Sequence, residues 1–385
     1  MLMKKILFYT ANGVGLGHLR RASLIAEEIK KNNKGTKIGL ATMADNPLFF
    51  GRFFDYSVKL KALSDKLLNS PASFEKVRLD NSLKFAEFIK GFKPDLVIAD
   101  FYLTSSFTFS IFKYGLDSFP VKSIFIWRLN DKQKFKNNFN NKNHRLDYFQ
   151  KIILPHNPDE LKSLLSTLIF KKIKNNKKFS ITGPIFKKIN KLKLSSCRKK
   201  HRISHNDYFL LVSFGGGGEL KKGGCDSPEK ILKYFLNIYP KLIKKIPNLK
   251  TIIITGPYFQ KFKQPLLSRL KAIKFEKDLP ELFRAADLVV SLAGHNTCNE
   301  LIQARTPAVL IPLTRGDKEQ FERAGYFEKK GIAVKIRGNL SEGKLLNSIL
   351  YSKDRLKEMK GNFNNFVGWK RTNHKLVKEI LDFLE

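Results

Sequence analysis

The chain has 385 residues, of which 42% are hydrophobic and 33 are phenylalanine. This hydrophobic content excludes a disordered chain, and the length suits two domains of about 150 to 200 residues each. The formal net charge of +38 favours nucleic acid, anionic lipid or phosphorylated substrates as partners. The basic residues are scattered along the chain, however, so a compositional bias with solvated lysines explains the same charge equally well.

The cysteines and the apolar runs indicate the cellular compartment in which the protein is expected. Cys197, Cys225 and Cys298 have the spacing of neither a zinc knuckle nor a CxxC redox pair, which favours a reducing cytoplasm. The apolar run near the amino terminus ends after about five residues, so we interpret it as a buried strand and not as a signal peptide. No run approaches the ~18 to 20 apolar residues that span a bilayer, so we expect a cytoplasmic protein whose membrane contact is at most peripheral, on the inner face.

The first half of the chain alternates short apolar runs with stretches of helical period. The runs lie at residues 6–9, 38–40, 96–98, 124–126 and 152–154. Such alternation predicts an α/β domain in which helices cover both faces of a parallel sheet. We place this Rossmann-like domain at residues 1–184 and interpret the lysine-rich stretch at 185–206 as a basic linker.

The second half repeats the pattern, with apolar runs at residues 209–212, 251–254, 288–290 and 308–311. We place a second α/β domain at 207–352 and expect C-terminal helices at 353–385 to pack back toward the first domain. The apolar stripe for this packing consists of Leu376, Val377, Ile380, Leu381 and Leu384. Two doubly wound lobes of this kind are expected to face a central cleft, where ligands bind at the carboxyl ends of the strands.

A glycine loop follows the first predicted strand and opens a helix. Gly13, Gly15 and Gly17 let the backbone approach a ligand closely. His18 occupies the position of the third glycine of the dinucleotide-binding fingerprint, which argues against a nicotinamide cofactor. An imidazole at a helix start can accept a proton from a hydroxyl group, so His18 is the first candidate catalytic base, unless it is a capping or merely exposed histidine. Asp100, at the end of a later strand, is the second candidate, unless it is an ordinary turn residue.

A second glycine loop follows the first strand of the second half. Gly215, Gly216 and Gly217 suit the close approach of a phosphate or a sugar. Neither Lys-Ser nor Lys-Thr follows them, so the pattern is not that of a nucleotide-hydrolysing P-loop.

The densest motif leads from a strand through Gly294 into a helix. The backbone amides of His295, Asn296 and Thr297 would meet a diphosphate at the helix start. Glu300, one turn further on, would accept hydrogen bonds from two ribose hydroxyls. Thr297 and Glu300 also have the spacing of a capping box, which stabilises a helix without any ligand, and both interpretations stay open.

A polar loop follows the last predicted strand of the second half and opens another helix. Asp317 and Gln320 in this segment would bind hydroxyls of a donor sugar, or would simply cap the helix.

Together these motifs resemble glycosyltransferase family 28, the family of the peptidoglycan N-acetylglucosaminyltransferase MurG, and especially its uncharacterised relatives described as predicted glycosyltransferases. The similarity lies at residues 13–21, 182–184, 215–218 and 291–320 and covers both lobes in outline. It implies the GT-B fold, with an acceptor-side first domain and a second domain that binds a nucleotide sugar.

The resemblance also implies roles for single residues. In the family, the residue matched by Glu300 holds the ribose, and the pair matched by Asp317 and Gln320 contacts the sugar. The glycine loop matched by residues 13–18 lies toward the acceptor. Phe101 and Tyr102 stand where MurG has a glycine-rich loop, so the acceptor is expected to differ from lipid I.

The implied reaction is the inverting transfer of a hexose or N-acetylhexosamine from a UDP-linked donor to an acceptor hydroxyl, for which a lipid-linked acceptor is one option. The sequence contains no Asp-x-Asp motif, so we expect no metal ion and no cofactor apart from the donor itself. Backbone amides near Asn296 and Thr297 would then stabilise the departing diphosphate.

Two clusters, at residues 49–54 and 85–90, mix aromatic and basic residues. They fit a peripheral patch that docks on an anionic membrane beside a lipid-linked acceptor. They fit equally a set of core phenylalanines beside solvated lysines, which is the commoner arrangement.

Two further classes of function remain open. The same two-lobe fold also serves nucleotide-sugar 2-epimerases and nucleotide-sugar hydrolases, which turn over the donor without an acceptor. The charge of +38 keeps a nucleic-acid-binding protein as an alternative, although no recognition motif supports it and no specific nucleic-acid partner is expected.

Overall fold

The computed structural model describes residues 3–11, 16–44, 51–63, 69–129, 132–140, 144–190, 193–218, 227–259, 267–313, 318–366 and 373–385. The chain divides into two compact units. The first unit consists of Met1–Phe186 together with Arg371–Glu385, and the second consists of Lys187–Lys370.

The first unit is built on a seven-stranded parallel sheet with the order β3-β2-β1-β4-β5-β6-β7. Its strands are β1 Lys5–Thr10, β2 Lys37–Thr42, β3 Tyr56–Lys59, β4 Leu96–Asp100, β5 Lys122–Ile126, β6 Lys151–Leu154 and β7 Phe179–Ile181. All five predicted runs are strands of this sheet, as the α/β prediction requires. The two strands that the sequence did not predict, β3 and β7, are the two edges.

Helices cover both faces of this sheet, since β1 alternates its apolar side chains between them. Leu7 and Tyr9 belong to a core shared with α2 and α3, whereas Ile6 and Phe8 belong to a core shared with α1. The helices here are α1 Gly17–Asn32, α2 Pro71–Phe92, α3 Ser106–Ser118, α4 Lys132–Asn140, α5 Pro158–Leu164 and α6 Thr167–Asn175, with short 3-10 helices at Gly51–Phe53 and His144–Tyr148. Serine side chains at Ser70 and Ser105 cap α2 and α3.

The second unit has a six-stranded parallel sheet with the order β10-β9-β8-β11-β12-β13. Its strands are β8 Tyr208–Ser213, β9 Leu249–Ile254, β10 Leu270–Ile273, β11 Leu288–Leu292, β12 Ala308–Ile311 and β13 Ala333–Lys335. Its helices are α7 Lys193–Lys200, α8 Pro228–Lys245, α9 Leu279–Ala285, α10 His295–Ala304, α11 Glu319–Lys329, α12 Glu342–Asp354 and α13 Leu356–Asn362, with a 3-10 helix at Phe363–Asn365. The four predicted runs are again the inner strands, and both sheets are parallel as predicted.

The segment interpreted as a basic linker differs from that prediction. Residues from Lys187 onward belong to the second unit, and α7 packs beside α9. The Arg198 guanidinium donates a hydrogen bond of 2.7 Å to the carbonyl oxygen of Ala285, and Cys197 is buried in the core. The packing of α7 was not predicted, because the helix has many lysines and only a few apolar residues that contact the core.

The C-terminal segment divides between the units. α13 stays with the second unit, and only the last helix, α14 Asn373–Leu384, belongs to the first, where it packs against α1. Four of the five predicted stripe residues are buried in the core that contains Ile6 and Phe8, and the fifth, Leu381, is partly buried against it. The Asn373 side chain also bonds both backbone groups of Phe186, which ties α14 to the end of the unit's main segment.

The cluster at residues 85–90 is largely core, as the second of its two interpretations expected. Phe85 and Ile89 are fully buried between α2 and the sheet, and Phe88 is partly buried against the same core. In the other cluster, Phe53 and Phe54 pack against the opposite core, while residues 49 and 50 lie outside the described residues. The helical period thus selects the inward face of α2.

Among the helices that the structure describes, none combines the length and the apolar content that crossing a membrane requires.

Both sheets reverse their strand order at one place. In the first unit the order reverses between β1 and β4, and in the second between β8 and β11. In open α/β sheets, ligands bind outside the carboxyl ends of the strands at such a reversal. The fold therefore directs attention to the segments that follow these four strands.

Packing of α14 can be tested by truncating a fully buried side chain. We expect Ile380→Ala to destabilise the first unit by about 2 to 5 kcal/mol, because the change leaves a cavity between α14 and the sheet. Urea unfolding followed by fluorescence measures the change. The exposed neighbour Lys378→Ala is the control, and an equal effect of both variants would contradict the packing.

Candidate active site

A buried cluster of three side chains lies at the reversal point of the first unit. The nitrogen Nδ1 of His18, from the first turn of α1, lies 2.6 Å from Oδ1 of Asp100, at the carboxyl end of β4. Arg21, one turn further along α1, donates to both oxygens of the same carboxylate, each at 2.8 Å. The three residues are 8%, 3% and 2% exposed. The two candidate bases of the sequence analysis thus form one hydrogen-bonded pair.

The pKa values of Asp100 and His18 are both lowered, for different reasons. Burial alone would raise the pKa of the Asp100 carboxyl, but the charges and hydrogen bonds of Arg21 and His18 outweigh burial and hold that pKa well below its usual range. Burial lowers the pKa of His18 from 6.5, and the charges of Arg21 and Arg128 lower it further, against the opposing influence of Asp100. At neutral pH the cluster therefore contains an ionised carboxylate and a neutral imidazole.

The carboxylate also selects the tautomer of the neutral imidazole. Nδ1 lies 2.6 Å from the ionised Asp100 oxygen and 2.9 Å from Nη2 of Arg21, which is itself a donor. A deprotonated Nδ1 would repel the closer, ionised oxygen, so we assign the proton to Nδ1, which donates to Asp100. The lone pair is then on Nε2, as in the histidine of a catalytic triad oriented by an aspartate. Asp100 itself is a poor base, because both of its oxygens accept hydrogen bonds from Arg21.

Two side chains beside His18 were not predicted as functional. The ring of Tyr102, just after β4, lies edge-on to the His18 ring with 5.5 Å between centroids. The guanidinium carbon of Arg128, just after β5, lies 5.1 Å from the centroid of the Tyr102 ring. Arg21 was also missed as a functional residue, although it belongs to the motif at residues 13–21. The sequence signal that could have identified Arg21 is its position beside the apolar residues of the helix, where a charged side chain would be buried.

A second buried histidine supports the segment after β5. Nε2 of His156, just after β6, accepts a hydrogen bond of 2.8 Å from the backbone N–H of Leu129. Its Nδ1 lies 3.0 Å from the carboxylate of Glu160 in the first turn of α5. Both side chains are almost completely buried. These bonds hold in place the backbone that carries Arg128.

The glycine loop of the second unit, after β8, requires glycine for two reasons. Gly215 and Gly217 have positive φ angles of 63° and 71°. A Cβ on Gly217 would also lie 2.2 Å from the carbonyl oxygen of Thr255, and one on Gly256 would lie 2.4 Å from the carbonyl carbon of Gly216. The loops after β8 and β9 therefore pack backbone against backbone, and the N–H of Tyr258 donates a hydrogen bond of 3.0 Å to the carbonyl oxygen of Gly216.

The helix that follows β11 begins too early for Thr297 to be its N-cap, as a capping box with Glu300 would require. Gly294 is the N-cap, and the N–H of Cys298 already bonds its carbonyl oxygen at 3.0 Å. Thr297 is therefore inside the first turn, and the capping-box interpretation of Thr297 and Glu300 is wrong. The amides of His295, Asn296 and Thr297 are the first three of α10, which an α-helix leaves without intrahelical carbonyl partners.

Glu300 and His295 lie on this helix as buried side chains, and Asn296 and Thr297 are partly exposed. Nε2 of His295 lies 3.2 Å from the amide nitrogen of Asn299, one turn on. The predicted donor residues 294–297 and 300 thus lie in the first two turns of one helix, at the reversal point between β8 and β11.

The first turns of α11 contain Gln320, which was predicted as a binding residue, and an ion pair that the sequence did not predict. The Gln320 side-chain oxygen accepts a hydrogen bond of 3.1 Å from the N–H of Leu313, which holds the segment just after β12. Arg323, buried and missed, pairs with Glu319 at 2.7 Å and donates to the carbonyl oxygen of Ala293 at 3.0 Å, just before α10. The predicted residues Asp317, Gly13 and Gly15 lie outside the described residues, whereas Gly17 is the first residue of α1.

Solved structures with the same arrangement of strands and helices define the fold class. MurG of Acinetobacter baumannii superposes with a TM-score of 0.59 at 14% sequence identity, over 98% of this chain and 99% of the other. The UDP-GlcNAc 2-epimerase of Neisseria meningitidis, solved bound to UDP-GlcNAc, gives a TM-score of 0.64 at 15% identity, over 98% and 100%. The chain has the GT-B fold.

The sequence comparisons identify the class of enzyme within this fold. Residues 222–374 match the glycosyltransferase family 28 C-terminal domain. The chain is also 24% identical over 356 residues to the UDP-N-acetylglucosamine–N-acetylmuramyl-(pentapeptide) pyrophosphoryl-undecaprenol N-acetylglucosamine transferase of Natranaerobius thermophilus, which covers 88% of this chain and 89% of the relative. The protein is a nucleotide-sugar glycosyltransferase that is similar to MurG, and the resemblance inferred from the motifs is confirmed.

The buried ion pair can be tested through stability. We expect Asp100→Ala to destabilise the first unit by about 3 to 5 kcal/mol, because it leaves the Arg21 guanidinium buried without its carboxylate. The double variant Arg21→Met with Asp100→Leu should lose less, since no buried charge remains. Urea unfolding measures both. A loss from Asp100→Ala as small as that from Glu27→Ala, which breaks the surface pair with Lys31, would contradict the account.

Proposed function

We propose that the protein transfers a hexose or N-acetylhexosamine from a UDP-linked donor to an acceptor hydroxyl, with inversion at the anomeric carbon and without a metal ion. The observation that carries this proposal is the buried pair of His18 and Asp100, which supplies a neutral, oriented imidazole in a chain with a family 28 domain. The first unit supplies the base, and the second supplies the donor site.

The start of α10 is the proposed diphosphate site. The first amides of the helix, at His295 to Thr297, and the positive end of the helix dipole favour an anion at this position. Glu300, in the second turn, would accept hydrogen bonds from the ribose hydroxyls. Asp317 and Gln320 would contact the sugar. Uridine as the base rests on the relatives, whose names specify UDP-N-acetylglucosamine.

The proposed chemistry is a single displacement. Nε2 of His18 accepts the proton of the acceptor hydroxyl as its oxygen attacks the anomeric carbon, and the bond to the diphosphate oxygen breaks on the opposite face. Asp100 orients the ring and stabilises the imidazolium that forms, which makes it a positioning residue and no longer a candidate base. Amides of α10 would stabilise the negative charge on the departing UDP, the task that a metal ion performs in other transferases.

A lipid-linked acceptor and contact with an anionic membrane are also proposed. The relative from Natranaerobius thermophilus has an undecaprenol-linked acceptor in its name. On the solvent face of α2, Leu79 and Leu83 are 50% and 49% exposed at a spacing of one turn, with the exposed Lys76 and Lys84 nearby. Exposed acidic residues of the same helix, at Glu75, Asp80 and Glu87, offset these lysines. The two leucines are therefore the groups that would enter the boundary between acyl chains and headgroups.

Binding of UDP tests the donor site. We expect UDP to raise the thermal unfolding temperature of the native chain, because a ligand that binds only the folded state stabilises it by mass action. Glu300→Ala should weaken UDP binding by about tenfold or more, since two charge-assisted hydrogen bonds are lost. Differential scanning fluorimetry across uridine, guanosine and thymidine diphosphates, followed by calorimetry, measures the selectivity.

The matched control is Glu358→Ala, which removes an exposed carboxylate of the same unit that pairs with Arg355. Absence of any shift with nucleotide diphosphates, or the same affinity in Glu300→Ala as in native protein, would contradict the donor site. Formation of an epimer or of free sugar in the absence of an acceptor would favour the epimerase or the hydrolase instead.

The pH dependence of transfer tests the base. Because the His18 pKa is lowered from 6.5, the neutral base is present at pH 7, and the rate should fall only as the pH drops through that pKa, below 6.5. The measurement is the rate of UDP release in the presence of acceptor, as a function of pH. His18→Gln should lower the rate about 100- to 10,000-fold.

The variant Asp100→Asn tests the direction in which Asp100 shifts the His18 pKa. The carboxylate raises the His18 pKa, so its removal should move the acidic limb of the profile to lower pH. A limb that does not move, or an unchanged rate in His18→Gln, would exclude His18 as the base.

Membrane contact is tested with vesicles. We expect Leu79→Ser with Leu83→Ser to reduce cosedimentation with phosphatidylglycerol vesicles severalfold, because two exposed apolar side chains no longer enter the interface. Leu168→Ser, which changes another exposed leucine of the first unit, is the control. Equal binding of all variants would exclude this face of α2 as the contact.

A further inference from the structure

Arg323 is a buried arginine of α11 whose two bonds join the starts of two helices. Its Nη1 donates to the carbonyl oxygen of Ala293 at 3.0 Å, and its Nη2 donates to the carboxylate of Glu319 at 2.7 Å. Ala293 directly precedes the N-cap of α10, and Glu319 is the first residue of α11. Arg323 and Glu319 are 4% and 5% exposed, so the planar guanidinium is fixed between the two segments.

The position of Ala293 explains why an arginine suits this place. Ala293 is completely buried, and it precedes the N-cap, so its carbonyl is not among those that the helix itself pairs. A buried carbonyl oxygen without a donor is costly. A guanidinium reaches this oxygen with one nitrogen and the Glu319 carboxylate with another, whereas a lysine has a single nitrogen for both.

The start of α10 also has supports that do not involve Arg323. The preceding strand, β11, is paired on both sides, with β8 and with β12. The N–H of Cys298 bonds the carbonyl oxygen of Gly294 at 3.0 Å, and Arg284 of α9 donates to the carbonyl oxygen of Ala304 at the other end of the helix, at 2.7 Å. Loss of the Arg323 bond is therefore expected to displace the start of α11 more than the start of α10.

The start of α11 carries the proposed contact to the sugar. Gln320, its second residue, is partly exposed, and its Oε1 accepts a hydrogen bond from the N–H of Leu313. This bond orients the side-chain amide, so that its Nε2 can donate to a hydroxyl oxygen of a ligand. The position of that donor then depends on two anchors, which are the bond to Leu313 and the bonds that Arg323 makes.

We propose that Arg323 is a positioning residue that fixes the sugar-binding start of α11 relative to the diphosphate-binding start of α10. This inference rests on the proposed function and deepens it, because it assigns the preference for an intact nucleotide sugar over UDP to one buried contact. Of these two helices UDP uses α10, whereas a nucleotide sugar must meet both in one arrangement. A site that holds this arrangement before binding loses less free energy to ordering, so the sugar adds to the affinity.

The experiment compares two ligands by isothermal titration calorimetry. UDP and a panel of UDP-linked sugars are titrated into the native protein, and the panel includes UDP-N-acetylglucosamine, the donor named in the relatives. The UDP-sugar with the lowest dissociation constant becomes the probe. The measured quantity is the ratio of the dissociation constant of UDP to that of the probe, and the probe should bind the native protein more tightly than UDP does.

The variant Arg323→Lys separates the proposed role from a purely structural one. The introduced ammonium group keeps a positive charge beside Glu319, but its single nitrogen gives up the carbonyl of Ala293. The probe should bind about fivefold or more weakly, while UDP binding should change by less than about twofold. If urea unfolding shows that this variant is poorly folded, Arg323→Met with Glu319→Leu leaves neither charge buried and should change the ratio in the same direction.

Two further variants supply the controls. Arg284→Lys makes the same substitution in an arginine that bonds a backbone carbonyl at the other end of α10, and it should leave both dissociation constants as in the native protein. Gln320→Ala should lower the ratio in the native background. It should lower the ratio less in the Arg323→Lys background, because both changes act on one contact with the sugar.

The proposal is overturned if no UDP-sugar binds the native protein more tightly than UDP does, or if Arg323→Lys leaves the ratio unchanged because both ligands are weakened equally or not at all. It is also overturned if Arg284→Lys lowers the ratio as much as Arg323→Lys, or if the effects of Gln320→Ala and Arg323→Lys on the ratio simply add. Failure of both UDP and every UDP-sugar to bind the native protein would instead overturn the proposed function.

Discussion

The buried ion pair between Arg21 and Asp100 is the interaction on which the site of the first unit depends. Two charges withdrawn from water are tolerated only when they are paired and fully hydrogen-bonded, and here both carboxylate oxygens accept from the guanidinium. The pair fixes the start of α1 against the end of β4, and this places the His18 ring against Asp100. The ionised carboxylate then selects the Nδ1–H tautomer, and burial keeps the imidazole neutral. The ion pair therefore determines the position and the tautomer of the proposed base, and burial determines its charge.

The second unit prepares its site by a different physical means, which is backbone geometry. Positive φ at Gly215 and Gly217, and the contact between Gly217 and Thr255, bring two loops together without any side chain. At the neighbouring strand end, Gly294 starts α10 and leaves the first amides of the helix at the sheet edge. Arg323 fixes the turn before this helix by bonding the carbonyl of Ala293. Amides and a helix dipole suit an anionic leaving group, whereas the charged cluster of the first unit suits proton transfer.

Sequence reasoning found the inner strands and missed the edges, for a physical reason. An inner parallel strand is buried on both faces and appears as a continuous apolar run, whereas edge strands such as β3 and β13 are short and less apolar, so periodicity does not identify them. His18 and Asp100 were predicted separately, because their pairing depends on a contact between residues 82 positions apart. Arg128 and His156 gave no local signal, since each acts through strand ends that only the sheet order brings together. The catalytic roles of His18 and Asp100, and the binding roles of the donor residues, stay predictions.

The most direct test of this account is the protonation and tautomeric state of His18 in the unliganded native protein at pH 7. Long-range ¹H–¹⁵N correlation spectra distinguish the two neutral tautomers from the imidazolium by the chemical shifts of the ring nitrogens. The account predicts a neutral ring with the proton on Nδ1 and an unprotonated Nε2. An imidazolium, or a neutral ring with the proton on Nε2, would contradict it, because neither state offers a base to the acceptor hydroxyl.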